Sequence, residues 1–236
     1  MKVLLILPAY NEEKSIVRTV EQIRQTHFSS SLRVDYLVIN DGSRDGTAEV
    51  CRRNQIPCLS LVQNLGIGGA VQTGYLYACR AGYDIAVQFD GDGQHDIHSL
   101  ETLLAPVISG TCDFTVGSRF LDGSSVFRST PLRRFGIRYL SSFIRLLTGH
   151  KIHDVTSGYR AANRKATAYL AEHYPVDYPE PESLVHLYRN GFQIQEVPVN
   201  MFSREEGVSS IHSFKSVYYM LKVTLAILCA AFRKEK

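Results

Sequence analysis

The chain has 236 residues, 44% of them hydrophobic, with a formal net charge of +3, which suits one large or two small domains with a substantial core. Its five cysteines, Cys51, Cys58, Cys79, Cys112 and Cys229, are odd in number and form no CxxC pair, which argues against a zinc site or a disulfide framework and fits a reducing cytosolic compartment. No nucleic-acid motif accompanies the positive charge, so a nucleic-acid partner is not expected.

The short apolar run before Pro8 falls below the length of a secretory hydrophobic region and reads as a first buried strand. It ends in PAYNEE, and a helix is expected over 12–26. A strand in DYLVINDGS, a helix over 46–54, a strand in CLSLVQN, a glycine-rich helix over 66–80 and a strand in DIAVQFDGD follow. Strands alternating with helices predict an α/β fold whose mainly parallel sheet is covered on both faces. Ligands of such sheets bind at the carboxyl ends of the strands. PAYNEE, NDGSRDGT, NLGIGGA and FDGDGQHD all fall there, so four strand ends are expected to share one crevice.

The run FDGDGQHD places Asp90, Asp92 and Asp96 in a glycine-rich setting, where they repel one another unless a cation joins them. Mg²⁺ and Mn²⁺ prefer carboxylate oxygens, and magnesium is usually held by one or two of them plus substrate phosphates. A solvated acidic turn is the alternative. Asn40, Asp41, Gly42 and Ser43 suit a base or ribose, or form an ordinary turn in which Asp45 caps the next helix. The glycines of NLGIGGA either bring backbone N–H groups to a phosphate or allow close helix packing. A dinucleotide-binding Rossmann enzyme fits poorly, because its fingerprint would follow the first strand, where PAYNEE stands.

The second half is basic: ten Lys/Arg against Asp122 and Asp154 between 119 and 165, whereas 84–113 holds six acids and no Lys or Arg. Opposite fields in one chain suggest an acidic metal loop beside a surface for phosphates or anionic lipid. Over 131–148, Leu132, Phe135, Tyr139, Phe143 and Leu147 recur at helical spacing with Arg133, Arg134, Arg138 and Arg145 around them. That composition fits an interfacial helix, or a helix buried on one side with arginine stems over the core. The apolar stretch 217–232 contains Lys222 and is shorter than a span of about twenty residues, so peripheral attachment is expected rather than crossing.

Taken together, LPAYNEE, VINDGSRDGT, NLGIGGAVQTGY, FDGDGQHD, VGSRF, DVTSGYRAANR and EVPVNMFSREEGVSS resemble glycosyltransferase family 2, and within it the dolichyl-phosphate-mannose-synthase-like enzymes that build polyprenyl-phosphate sugars. The resemblance implies a GT-A fold, a divalent Mg²⁺ or Mn²⁺, a nucleotide-sugar donor and inversion at the anomeric carbon. On it, Pro8, Ala9, Tyr10 and Glu12 match the first nucleotide loop, Asp41 the base-contacting aspartate, and Gly69 and Gly91 belong to donor-binding segments. Asp90 and Asp92 match the metal pair, with Gln94 beside them, and Arg204, with Gly207 and Ser209, matches the arginine that clamps the donor diphosphate. Asp154 matches a motif near the acceptor, and Glu180 and Glu182 compete for one acidic position ahead of EVPV.

The expected catalytic unit is 1–210, with 211–236 a C-terminal amphipathic, membrane-associated helix. The leading expectation is transfer of one sugar from a UDP-sugar to a polyprenyl phosphate such as undecaprenyl phosphate, for cell-wall or surface polysaccharide, at the cytoplasmic face of the membrane. The resemblance is closest to short bacterial members that work with a separate small membrane protein, and a homo-oligomer stays open. Two alternatives stand: transfer to a hydroxyl of a lipid-linked or capsular glycan, and a non-catalytic sugar-nucleotide-binding scaffold.

Overall fold

The computed structural model describes residues 1–121, 131–202 and 213–232. Its centre is β1 (Lys2–Ala9), buried from Val3 to Ala9. A strand apolar on both faces belongs in the middle of a covered sheet. It pairs in parallel with β2 (Arg33–Asn40) along one edge and with β4 (Ile85–Gln88) along the other. β3 (Cys58–Ser60) lies parallel beyond β2. On the far side, β6 (Arg160–Asn163) runs antiparallel to both β4 and β5 (Phe114–Ser118), and β7 (Ile194–Pro198) pairs in parallel with β5. The order is therefore β3-β2-β1-β4-β6-β5-β7, parallel apart from one inserted strand.

Side chains alternate across β1 with the period of two that a strand imposes. Val3, Leu5 and Leu7 join a core formed with α1 (Ile16–Gln25), α2 (Thr47–Arg53) and α4 (Leu100–Ile108). Leu4 and Ile6 face a second core with α3 (Gly66–Arg80), α5 (Pro131–Thr148), α6 (Arg164–His173), α7 (Pro179–Arg189) and α8 (Ser213–Phe232). The sheet is thus covered on both faces, as the alternating pattern predicts.

α1 begins at Ile16, not at 12. Asn11 sits at φ +57°, and the N–H groups of Glu12 and Glu13 donate to Thr47 Oγ1 and Asp45 Oδ2, so residues that could extend the helix are committed to the next loop. α5 matches its expected bounds and buries Ile137, Leu140 and Ile144 while Phe135 and Leu146 stay exposed. α8 starts before the expected apolar stretch, and Val223, Ile227, Ala230 and Ala231 enter the same core as α7. Among the described residues no helix is long and apolar enough to cross a membrane.

α3 lies against β1 through Gly74, where any side chain would overlap Cγ2 of the buried Ile6. Gly74→Ala is expected to cost about 1–3 kcal/mol by overpacking. Denaturant unfolding measures this, and an unchanged midpoint would contradict the close approach.

Candidate active site

The first two strand-end loops are stitched together. Ala9 C=O accepts the Asp41 N–H at 2.9 Å. The Asn11 N–H donates to Ser43 Oγ at 3.0 Å, and Asn11 Oδ1 accepts the Arg44 N–H at 2.9 Å. Asn tolerates this left-handed backbone better than most residues. Glu12, carried on the same turn, bonds the Ser15 hydroxyl through its carboxylate, and Tyr10 stays exposed at the rim.

The third loop is tied in by Asp41, which is buried and accepts the Leu65 N–H on Oδ1 at 2.7 Å, while Asn64 Nδ2 donates to its carbonyl at 3.0 Å. Burial raises the Asp41 carboxyl above its ordinary value, and the N–H groups of Leu65 and Gly66 pull it back. Gly42, at φ +64°, lets the two loops touch, since a Cβ there would stand 2.8 Å from Asn64 N. Two glycines of NLGIGGA serve packing, since Gly68 abuts the backbone of Pro175 and Val176 and the space beside Gly69 is taken by Leu65, whereas Gly66 has open space beside it and a φ of +79°.

The acid loop closes the crevice from β4. Gly91 packs against Pro8 and Ile16, and its carbonyl accepts the Thr19 hydroxyl at 3.1 Å. Asp90 donates its N–H to His95 Nδ1 at 3.0 Å, and Asp92 Oδ1 accepts the Gln94 N–H at 3.0 Å. Burial lowers the His95 pKa to about 4, so the ring is neutral near pH 7. Gln94 C=O accepts the Phe202 N–H at 2.8 Å, and His95 bridges to Met201, which fastens this loop to the chain after β7. Arg204, Gly207 and Ser209 lie outside the described residues.

Among the described residues no three His, Cys, Asp or Glu side chains form a closed metal cage. The acid loop instead offers two carboxylates with an amide oxygen beside them in sequence. That set fits a hard divalent ion completed by ligand phosphates and water.

The carboxylates from the second half of the chain separate into different environments. Asp154 is fully buried and forks onto Arg119, with Nε to Oδ2 and Nη2 to Oδ1 both at 2.6 Å. Glu196, from β7, accepts the N–H groups of His153 and Asp154 at 2.7 Å and so fixes the turn that carries Asp154. Glu182 stands 3.7 Å from His186 Nε2, one turn along α7. Glu180 faces the strand ends: burial raises its carboxyl, the Arg160 charge lowers it, and Asp90 adds repulsion. Arg160 itself is enclosed, donating to Ser157 C=O at 2.7 Å, Ser183 Oγ at 2.8 Å and Val155 C=O at 3.2 Å.

Sequence reasoning missed His95, Arg119, Arg160 and Glu196 as individual residues. VGSRF and EVPV contain two of them, but partners 35 and 42 residues apart carry no local signal.

The model of the family "Glycosyl transferase family 2" matches residues 4–170. UDP-N-acetylglucosamine–dolichyl-phosphate N-acetylglucosaminyltransferase of Methanococcus voltae is 30% identical, over 94% of this chain and 96% of that protein. Undecaprenyl-phosphate mannosyltransferase of Micrococcus luteus is 31% identical, over 89% and 88%. Among solved structures, glucosyl-3-phosphoglycerate synthase from Mycobacterium tuberculosis, in complex with Mn²⁺, UDP and glucosyl-3-phosphoglycerate, superposes with a TM-score of 0.70 at 19% identity, covering 98% of this chain and 79% of that one. That likeness shows the fold.

Removing one member of the buried fork leaves the other charge uncompensated. Asp154→Ala is expected to lower stability by about 3–5 kcal/mol, and the double variant Arg119→Met with Asp154→Leu to recover much of that loss without recovering activity. Denaturant unfolding of the three proteins checks it, and equal stability of parent and Asp154→Ala would refute it.

Proposed function

Since the chain belongs to glycosyl transferase family 2, we propose that it moves one sugar from a UDP-sugar to a polyprenyl phosphate, with inversion at the anomeric carbon. The observation that carries this reading is the acid loop, seated through Gly91 against Pro8 of the first nucleotide-side loop, with Asp90 beside Gly158 of the segment entering β6. Curated relatives named as dolichyl-phosphate and undecaprenyl-phosphate transferases support the acceptor class, and the Mn²⁺ and UDP in the mycobacterial structure support the donor.

In this reading Asp90, Asp92 and Gln94 hold Mg²⁺ or Mn²⁺. When bound, the ion neutralises charge developing on the departing nucleoside diphosphate. Pro8, Ala9, Tyr10, Glu12 and Asp41 line the nucleotide side, Gly69 and Gly91 let the loops close around it, and Arg204 assists at the diphosphate. A phosphate acceptor is already anionic and attacks without a base, provided cations hold it. Asp154 is then a positioning residue that keeps the Arg119 guanidinium stiff. The second reading, a sugar-hydroxyl acceptor, needs a general base from Glu180, Asp154 or Glu182, and burial raises the Glu180 carboxyl in the direction that suits such a base.

A transfer assay with a panel of nucleotide sugars, Mg²⁺ or Mn²⁺, and undecaprenyl phosphate separates the two readings. Asp92→Asn is expected to abolish turnover with the fold intact, and Glu180→Gln to leave phosphate-linked product forming. Near-normal activity of Asp92→Asn would sink the metal assignment, and product only on glycan hydroxyls would move the acceptor to the second reading.

The residues 1–210 serve in this reading as the catalytic unit, with the helix in 211–236 at the membrane. Two neighbouring helices support peripheral attachment. The site of a Cβ on Gly136 of α5 lies 3.4 Å from Met220 Sδ of α8, and Tyr139 accepts the Thr224 hydroxyl at 3.3 Å. Phe135, Leu146, Leu221, Leu225 and Phe232 are exposed, beside the exposed Arg133, Arg134, Arg138 and Arg145. Apolar side chains flanked by arginines suit an anionic lipid surface. The protein is expected to float with phosphatidylglycerol vesicles, with binding weakened by salt and by Phe135→Ser with Leu225→Ser. Flotation that ignores both would remove this surface from consideration.

A further inference from the structure

His95 takes no part in the steps above, yet it touches Asp90 twice. It is 3% exposed, and its Nδ1 accepts the Asp90 N–H at 3.0 Å. A ring nitrogen that accepts carries no hydrogen, so the neutral imidazole bears its hydrogen on Nε2. Nε2 lies 3.5 Å from Asp90 Oδ2. One ring therefore faces both the backbone and the carboxylate of the same aspartate.

The ring has little freedom to do otherwise. It stacks on Tyr159 with centroids 4.7 Å apart and planes 9° from parallel, and Phe89 meets both rings edge-on at 5.4 Å. Gly158 lies against the carboxylate as well: a Cβ there would stand 3.1 Å from the same Oδ2. Tyr159 and Gly158 are adjacent residues of the segment entering β6, so one short stretch supports the histidine and bounds the carboxylate.

We infer that His95 is a positioning residue for Asp90: the Nε2–H beside Oδ2 fixes the orientation in which the carboxylate meets the divalent ion. The inference rests on the reading that Asp90 and Asp92 hold that ion. Groups that orient a metal-binding side chain in this way typically change metal affinity about 10–100-fold when removed.

Two variants separate orientation from packing. His95→Asn keeps an acceptor near the position of Nδ1 and is too short to place a donor at the position of Nε2; His95→Gln sets an amide N–H near that position. Mn²⁺ is titrated by electron paramagnetic resonance, alone and with UDP, into the parent protein, both variants and Asp92→Asn, with metal-free thermal unfolding alongside. The expected result is binding about tenfold weaker in His95→Asn, with an altered Mn²⁺ line shape, affinity closer to the parent in His95→Gln, and metal-free Tm within about 4 °C of the parent.

Parent-like affinity in His95→Asn, with binding lost in Asp92→Asn, overturns the role of His95 and leaves the metal reading standing. Equal weakening in both histidine variants, or a weakening matched by collapse of the metal-free Tm, assigns the ring to packing and also overturns it. A parent protein that binds no Mn²⁺ with or without UDP overturns the metal reading and this inference together.

Discussion

β1 cannot face water on either side. Seven of its eight residues are buried, with Val3, Leu5 and Leu7 directed into one core and Leu4 and Ile6 into the other. Its two edges must also be hydrogen-bonded, which β2 and β4 accomplish in parallel. Because all three strands run the same way, their carboxyl ends reach one edge of the sheet together. PAYNEE, NDGSRDGT and FDGDGQHD become neighbours there as a consequence of burying β1. β6 then runs antiparallel against β4 and delivers its amino end, the TSGYR segment, to that same edge.

Charge at this edge follows a consistent rule. Cations that are buried are matched: Arg119 by the fork with Asp154, Arg160 by two carbonyls and a serine hydroxyl. His95, buried without protonating, is neutral. The carboxylates at the crevice follow a different course. Asp90 and Asp92 lie two residues apart on one loop, and burial, with a smaller repulsion from Asp90, raises the carboxyl of Glu180. Neighbouring carboxylates of this kind are the arrangement that a divalent ion complements. Glu196 shows how far the support extends, since it stands on β7 and acts on Arg119 only through the turn at His153 and Asp154.

Much of this was legible in the residues themselves. Strand and helix alternation up to β4, the sharing of four strand ends, and the bounds of α5 follow from hydrophobic period and turn chemistry, which are local properties. The start of α1 was not, because Asn11, Glu12 and Glu13 give their hydrogen bonds to residues more than thirty positions away. Nor could sequence choose between Glu180 and Glu182: two residues apart near the start of a helix, they point to different sides, one toward Asp90 and the other toward His186.

The order and spacing of the motifs determined the family and the α/β class, because both are written in contiguous residues. The tertiary structure alone decided which charges are consumed in holding the site together and which face it. Asp154 meets Arg119 across 35 residues, Glu196 meets Asp154 across 42, and Tyr159 stacks on His95 from the segment entering β6. Such pairings are set by sheet order and burial, and desolvation makes them obligatory only once the chain has folded.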